Sequence, residues 1–121
     1  MSQIGAILYI AWALLHINAA FQVYKLGSRQ TAGMVQGRIY QTSWNLAFLA
    51  IAVIVVALVY NWFNNPLGYW LNLFLTSVTD IGFMLFVVAR RYLPLRLGLV
   101  GPVLWILAVI FSTLGQWVIH A

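Results

Sequence analysis

The sequence predicts an all-α, polytopic membrane protein: a single domain over residues 1–121, built as a four-helix transmembrane bundle with both termini on the non-cytoplasmic side. Three observations predict it. Only 6% of the residues are charged and 64% are hydrophobic, whereas a soluble domain carries about 25% charged residues. So little charge cannot wet a surface, so lipid is the expected solvent. The apolar residues then gather into four runs, each near the length of about 20 residues that a membrane helix needs. Finally, the six basic residues fall in only two of the connections between those runs.

The first run covers about 4–24. It has no basic leader and is interrupted by His16 and Asn18, so it reads as a retained helix rather than a cleavable signal. The second run covers about 40–63, the third about 69–89 and the fourth about 99–119. A span isolated in lipid must satisfy its own backbone hydrogen bonds, and these runs are too long for barrel strands, so all four are expected to be helices.

The connections fit that division. The segment 25–39 is polar and holds Gly27, Ser28, Gly33 and Gly37. From Ala32 onward it suits either a short interfacial helix or an extension of the second span. Asn64-Asn65-Pro66-Leu67-Gly68 is a tight-turn sequence. Pro94 is expected to stop the third helix, and Pro102 falls in the first turn of the fourth, where its missing N–H is tolerated.

Charge orients the bundle. Lys25, Arg29 and Arg38 lie in the first connection, and Arg90, Arg91 and Arg96 in the last. By the positive-inside rule these two connections are cytoplasmic, and the termini and middle turn face outward. A bacterial inner membrane is the expected location. Tyr60, Trp62, Tyr69, Trp70 and Trp117 suit an aromatic belt at the outer ends, and Tyr24, Tyr40, Trp44 and Tyr92 one at the inner ends. Membrane lipids are therefore the first expected partners. The basic residues are too sparse to neutralise a phosphate backbone, so nucleic acid is not one. With no cysteine, thiolate and disulfide chemistry are excluded.

Asp80 is the only acidic residue, and it sits within the third span. A carboxylate at the centre of a membrane helix costs about 2.5–3.5 kcal/mol on insertion scales, and such groups are functional by default. Asp80 precedes Arg90 by ten positions and His16 precedes Lys25 by nine, which places the two about 15 Å and about 14 Å from the basic boundary. They therefore share one level near the midplane. Helical spacing puts Tyr9, Trp12, His16 and Ala20 on one face of the first helix. Thr76, Ser77, Asp80 and Met84 share a face of the third. Gly101, Trp105, Ala108, Ser112 and Gln116 share one of the fourth. Asn18 and Gln22 lie on another face of the first helix, and Gln41 and Asn45 lie one turn apart on the second.

The expected picture is a bundle polar inside its cytoplasmic half and sealed by Val, Ile and Leu in its outer half. A cavity opens toward the cytoplasmic side with Asp80 and His16 at its head. A carboxyl and an imidazole that meet in low dielectric can hold one proton in either of two places, which is what general acid–base catalysis requires. Asp80 and His16 are thus the candidate catalytic residues. Tyr9, Trp12, Thr76, Ser77, Met84, Trp105, Ser112, Asn18, Gln22, Gln41 and Asn45 are the candidate substrate contacts. The expected function is binding of a lipophilic small molecule with proton transfer to it, of the isomerase, cyclase or epoxide-opening type, without a cofactor. No metal is expected: His120 lies about 30 Å from the basic boundary, too far from His16 to share an iron with it.

Two alternatives stand beside this reading. In length, in four spans and in a single intramembrane acid the chain resembles the small multidrug-resistance exporters. That resemblance implies proton-coupled transport by a homo-oligomer, although their acid is on the first helix and Asp80 is on the third. The other alternative is a non-catalytic subunit of a larger membrane complex, with Asp80 held by Thr76, Ser77 or the backbone. Four helices leave little interior for a cavity, so a homo-oligomer of parallel protomers is expected in either active case.

Overall fold

The computed structural model describes residues 2–118, which are mostly helical with no strand among them. Four stretches are long and apolar enough to cross a membrane: Ser2–Ser28, Met34–Phe63, Pro66–Val88 and Leu95–Trp117. The first is α1 (Ser2–Ser28), and the second is α2 (Met34–Val59) followed by a 3₁₀ turn, Asn61–Phe63. The third is α3 (Pro66–Phe83), prolonged by a π-helical turn at Met84–Val88. The fourth joins a short α4 (Leu95–Gly98) to α5 (Val100–Thr113) and a second π-helical turn, Leu114–Val118. Ile119 and His120, the end of the expected fourth span and the outer histidine, lie outside the described residues.

Each connection has a local cause. The second helix starts at Met34 rather than near 40, so the polar segment extends it. Gly33 makes the break, with φ 155°, a conformation that suits glycine. Gln36 then reaches back, and its amide donates to the carbonyls of Gly27 and Gln30 at 3.2 Å each. Between α2 and α3, Asn64 adopts the left-handed conformation with φ 57°. The N–H of Asn65 donates to Tyr60 O at 3.0 Å and that of Asn64 to Asn61 O at 3.0 Å, the paired closure of a Schellman motif. Asn65 next caps α3, accepting from Leu67 N at 2.9 Å, and Pro66 opens the helix.

Pro94 does not stop the third helix. A second Schellman closure ends it earlier: Tyr92 N donates to Val87 O at 3.1 Å and Arg91 N to Val88 O at 2.9 Å, with Arg91 at φ 56°. Pro94 instead sits at the start of α4.

Small residues set the packing, as they do where lipid removes the hydrophobic drive between helices. α1 lies between α2 and α5. Against α5, a Cβ on Gly5 would come within 3.0 Å of Ser112 N, one on Gly115 within 2.6 Å of Ser2 N, and one on Gly101 within 3.4 Å of the His16 ring. Those pairings run in opposite directions along the chain, so the two helices are antiparallel. Against α2, the Ser43 hydroxyl donates to Ala20 O at 2.7 Å, and Tyr24 stacks on Tyr40.

The apolar core is Ala6, Tyr9, Trp12, Ala13, Ala50, Val53, Ala57 and Ala108. All of it lies at the midplane or toward the end of the bundle that carries the termini and the α2–α3 turn. α3 follows the same division. Gly68, Tyr69, Asn72, Thr76 and Asp80 are buried, and beyond Asp80 only Val88 is. The half beside the basic connections is therefore the less closed of the two.

The expected polarity is reversed. Asn18, Gln22, Gln41 and Asn45 are exposed on the outside of the bundle, whereas Asn61, Asn72, Thr76 and Ser112 are buried in the terminus-end half. Asn18 follows the buried His16 by two residues, a rotation of about 200° around the helix, which carries it to the far face. Tyr69 also leaves the expected aromatic belt. It is buried, and its hydroxyl lies 3.0 Å from Thr113 Oγ1.

Candidate functional site

Trp12 and His16 are spaced by four on α1, so their rings fall one above the other, with centroids 3.8 Å apart. Asp80 on α3 meets both. Its Oδ2 accepts from the Trp12 indole N–H at 2.8 Å, and its Oδ1 lies 3.4 Å from His16 Nε2. Trp12 and Asp80 are fully buried and His16 is 7% exposed. Two features make room for the imidazole: Gly101 on α5 presents no side chain to it, and the Trp12 ring forms a flat floor.

The tautomer follows from the backbone. His16 Nδ1 lies 2.8 Å from the Trp12 carbonyl oxygen. A carbonyl only accepts, so Nδ1 carries a hydrogen. In a neutral ring Nε2 is then an acceptor, and it points at a carboxyl oxygen. Two lone pairs cannot face each other favourably, and one further proton between them would complete a hydrogen bond. That proton sits on Nε2, giving an imidazolium beside a carboxylate, or on Asp80, giving a carboxylic acid beside a neutral ring. The Trp12 indole donates to the other carboxyl oxygen in both forms.

Trp12→Phe removes that donor and keeps the ring stack. It is expected to lower bundle stability by about 2 kcal/mol, the scale of a hydrogen bond to a charged group. Unfolding in detergent followed by circular dichroism measures it.

The other candidate residues divide. Tyr9 is fully buried above Trp12, and its hydroxyl has no hydrogen-bond partner. Thr76 donates to Asn72 O at 2.7 Å, and Ser77 accepts from the Trp105 indole at 3.0 Å, which ties α3 to α5. Met84 stands half-buried on the π-helical turn. Ser112 accepts from the Asn61 amide at 3.4 Å. The four exposed amides do not join this group; Gln41 instead accepts from Arg38 at 3.0 Å.

Two buried residues were not singled out in sequence. Asn72 donates to Val53 O at 3.3 Å and to Asn61 Oδ1 at 2.9 Å. Its signal was available, because residues 72, 76 and 80 repeat at intervals of four on one face. Asn61, inside an aromatic turn, offered none. A surface cavity of about 380 Å³ lies at Arg91–Leu95 and includes neither member of the pair; Asp80 itself has no exposed surface.

Comparison with family models, with curated proteins and with solved structures finds no match to this chain. What it does has therefore to be read from the site.

Proposed function

We propose that this is an integral membrane protein that binds a lipophilic small molecule beneath the His16–Asp80 pair and exchanges a proton with it. One observation carries the reading. With Nδ1 held by the Trp12 carbonyl, Nε2 faces Asp80 Oδ1 at 3.4 Å, a geometry in which either group can carry a proton. Such a pair gives a proton to one atom of a substrate and takes one from another, leaving the protein unchanged. Isomerisation, cyclisation and opening of an epoxide in an apolar chain all have that balance. The looser half of the bundle, where residues 81–87 of the third span include no buried residue, supports entry of the molecule from that side. The basic connections on that side favour a cytoplasmic assignment, with both termini outside, in a bacterial inner membrane.

The test is native mass spectrometry with lipid extraction on the wild-type protein and on Asp80→Asn. The wild type is expected to carry a lipophile that Asp80→Asn retains at about one-tenth or less, the loss that one charged hydrogen bond implies. Equal retention by both would overturn the reading.

A second reading, proton-coupled transport by a homo-oligomer of parallel protomers, draws support from the complete burial of Asp80. Proton release on adding a lipophilic cation would favour it. A purely scaffolding role is supported least, because Thr76 and Ser77 engage other partners and leave Asp80 to α1.

A further inference from the structure

The terminus-end half of the bundle holds polar groups that the pair's chemistry does not use. Tyr9 Oη and Asn72 Oδ1 are buried without a hydrogen-bond partner, and Asp80 Oδ1 has only the contact at 3.4 Å to His16. An unpaired buried oxygen is costly and rare, and internal water is what commonly bridges such atoms. These oxygens also fall in line. Asn72, Thr76 and Asp80 are all fully buried on one face of α3, rising about 6 Å from each to the next. Tyr9 joins them from α1, with Thr76 and Tyr69 as its polar neighbours. Beyond Asn72 the file runs on through Asn61 to Ser112, toward the end of the bundle that carries the termini.

We propose that this file is a proton route between Asp80 and the terminus-end surface. The Tyr9 hydroxyl accepts a proton on oxygen and releases its own, so it is restored by one rotation; the Thr76 hydroxyl, whose hydrogen goes to the Asn72 carbonyl, offers its lone pairs to water. The amides of Asn72 and Asn61 do not relay protons in this way; they hold the water that does. The inference rests on the reading that the pair exchanges a proton, and it adds a direction. A lipophile enters from the looser half, and the proton that resets the pair comes from the opposite side. A bound molecule therefore does not block the reset.

The test reads deuterium exchange at the Trp12 indole N–H, which is bonded to Asp80, by NMR of indole-labelled protein in micelles. Tyr9→Phe removes one hydroxyl and Thr76→Val keeps the side-chain shape, so both variants preserve the packing. Each is expected to slow exchange at Trp12 about tenfold, the factor that loss of one hydrogen-bonded link adds to a barrier. Exchange at Trp105, bonded to Ser77 off the file, should not change. Wild-type exchange at Trp12 in both variants would overturn the route. Lipophile retention by Asp80→Asn reads the pair instead, so failure of the route and failure of the function are separate results.

Discussion

His16→Leu is expected to destabilise the bundle by about 3–5 kcal/mol, the usual cost of removing one partner from a buried ion pair. The size follows from what is left behind. Asp80 has no exposed surface, and its remaining polar contact is the Trp12 indole. Staying ionised without a neighbouring cation incurs the desolvation penalty in full. The Trp12 indole is a single neutral donor and does not replace the lost imidazole. His16→Leu combined with Asp80→Asn is then expected to recover most of the loss, because no charge remains to be compensated. Unfolding curves in detergent for the two single variants and the double variant measure the coupling. An additive cycle would mean that the two side chains do not interact.

Gly68→Val should be the most damaging substitution outside the site. Already a Cβ at this position would lie 2.5 Å from Tyr60 Cβ and 2.8 Å from the backbone nitrogen of Asn61. The obstacle is main chain in a turn closed by two Schellman hydrogen bonds, and it cannot rotate away. Forced overpacking typically costs 1–3 kcal/mol, occasionally more, and a rigid obstacle places this case at about 3 kcal/mol or above. The turn also holds Asn61 against Asn72, so opening it unpairs buried amides as well. Thermal unfolding and yield of folded protein measure the effect. Gly82→Val is the control, since a Cβ there meets nothing within 4 Å.

The spans were legible because a run of apolar residues in lipid is a self-contained unit whose backbone bonds close within it. The shared level of His16 and Asp80 was legible for a related reason. Rise per residue is fixed, so depth can be counted from the basic connections. The lateral arrangement was far less so. In a soluble helix a polar face marks solvent, but these helices are apolar nearly all round, so the same residue types serve lipid and interior. Asn18 and Asn72 are the same residue type, each inside an apolar span, yet one is exposed and the other is in the core. Trp12 was placed on the right face, but its role as a donor to Asp80 depends on how closely α1 and α3 approach.

From the chain alone came four membrane-length helices and a carboxyl level with an imidazole, because length, rise and loop charge are local quantities. Packing decided the rest: which helices touch, that Trp12 completes the pair, that its carbonyl selects the histidine tautomer, and that the buried amides lie toward the termini. Those outcomes turn on glycines and alanines that let backbones come close. Whether a small residue is used in that way depends on the helix across from it.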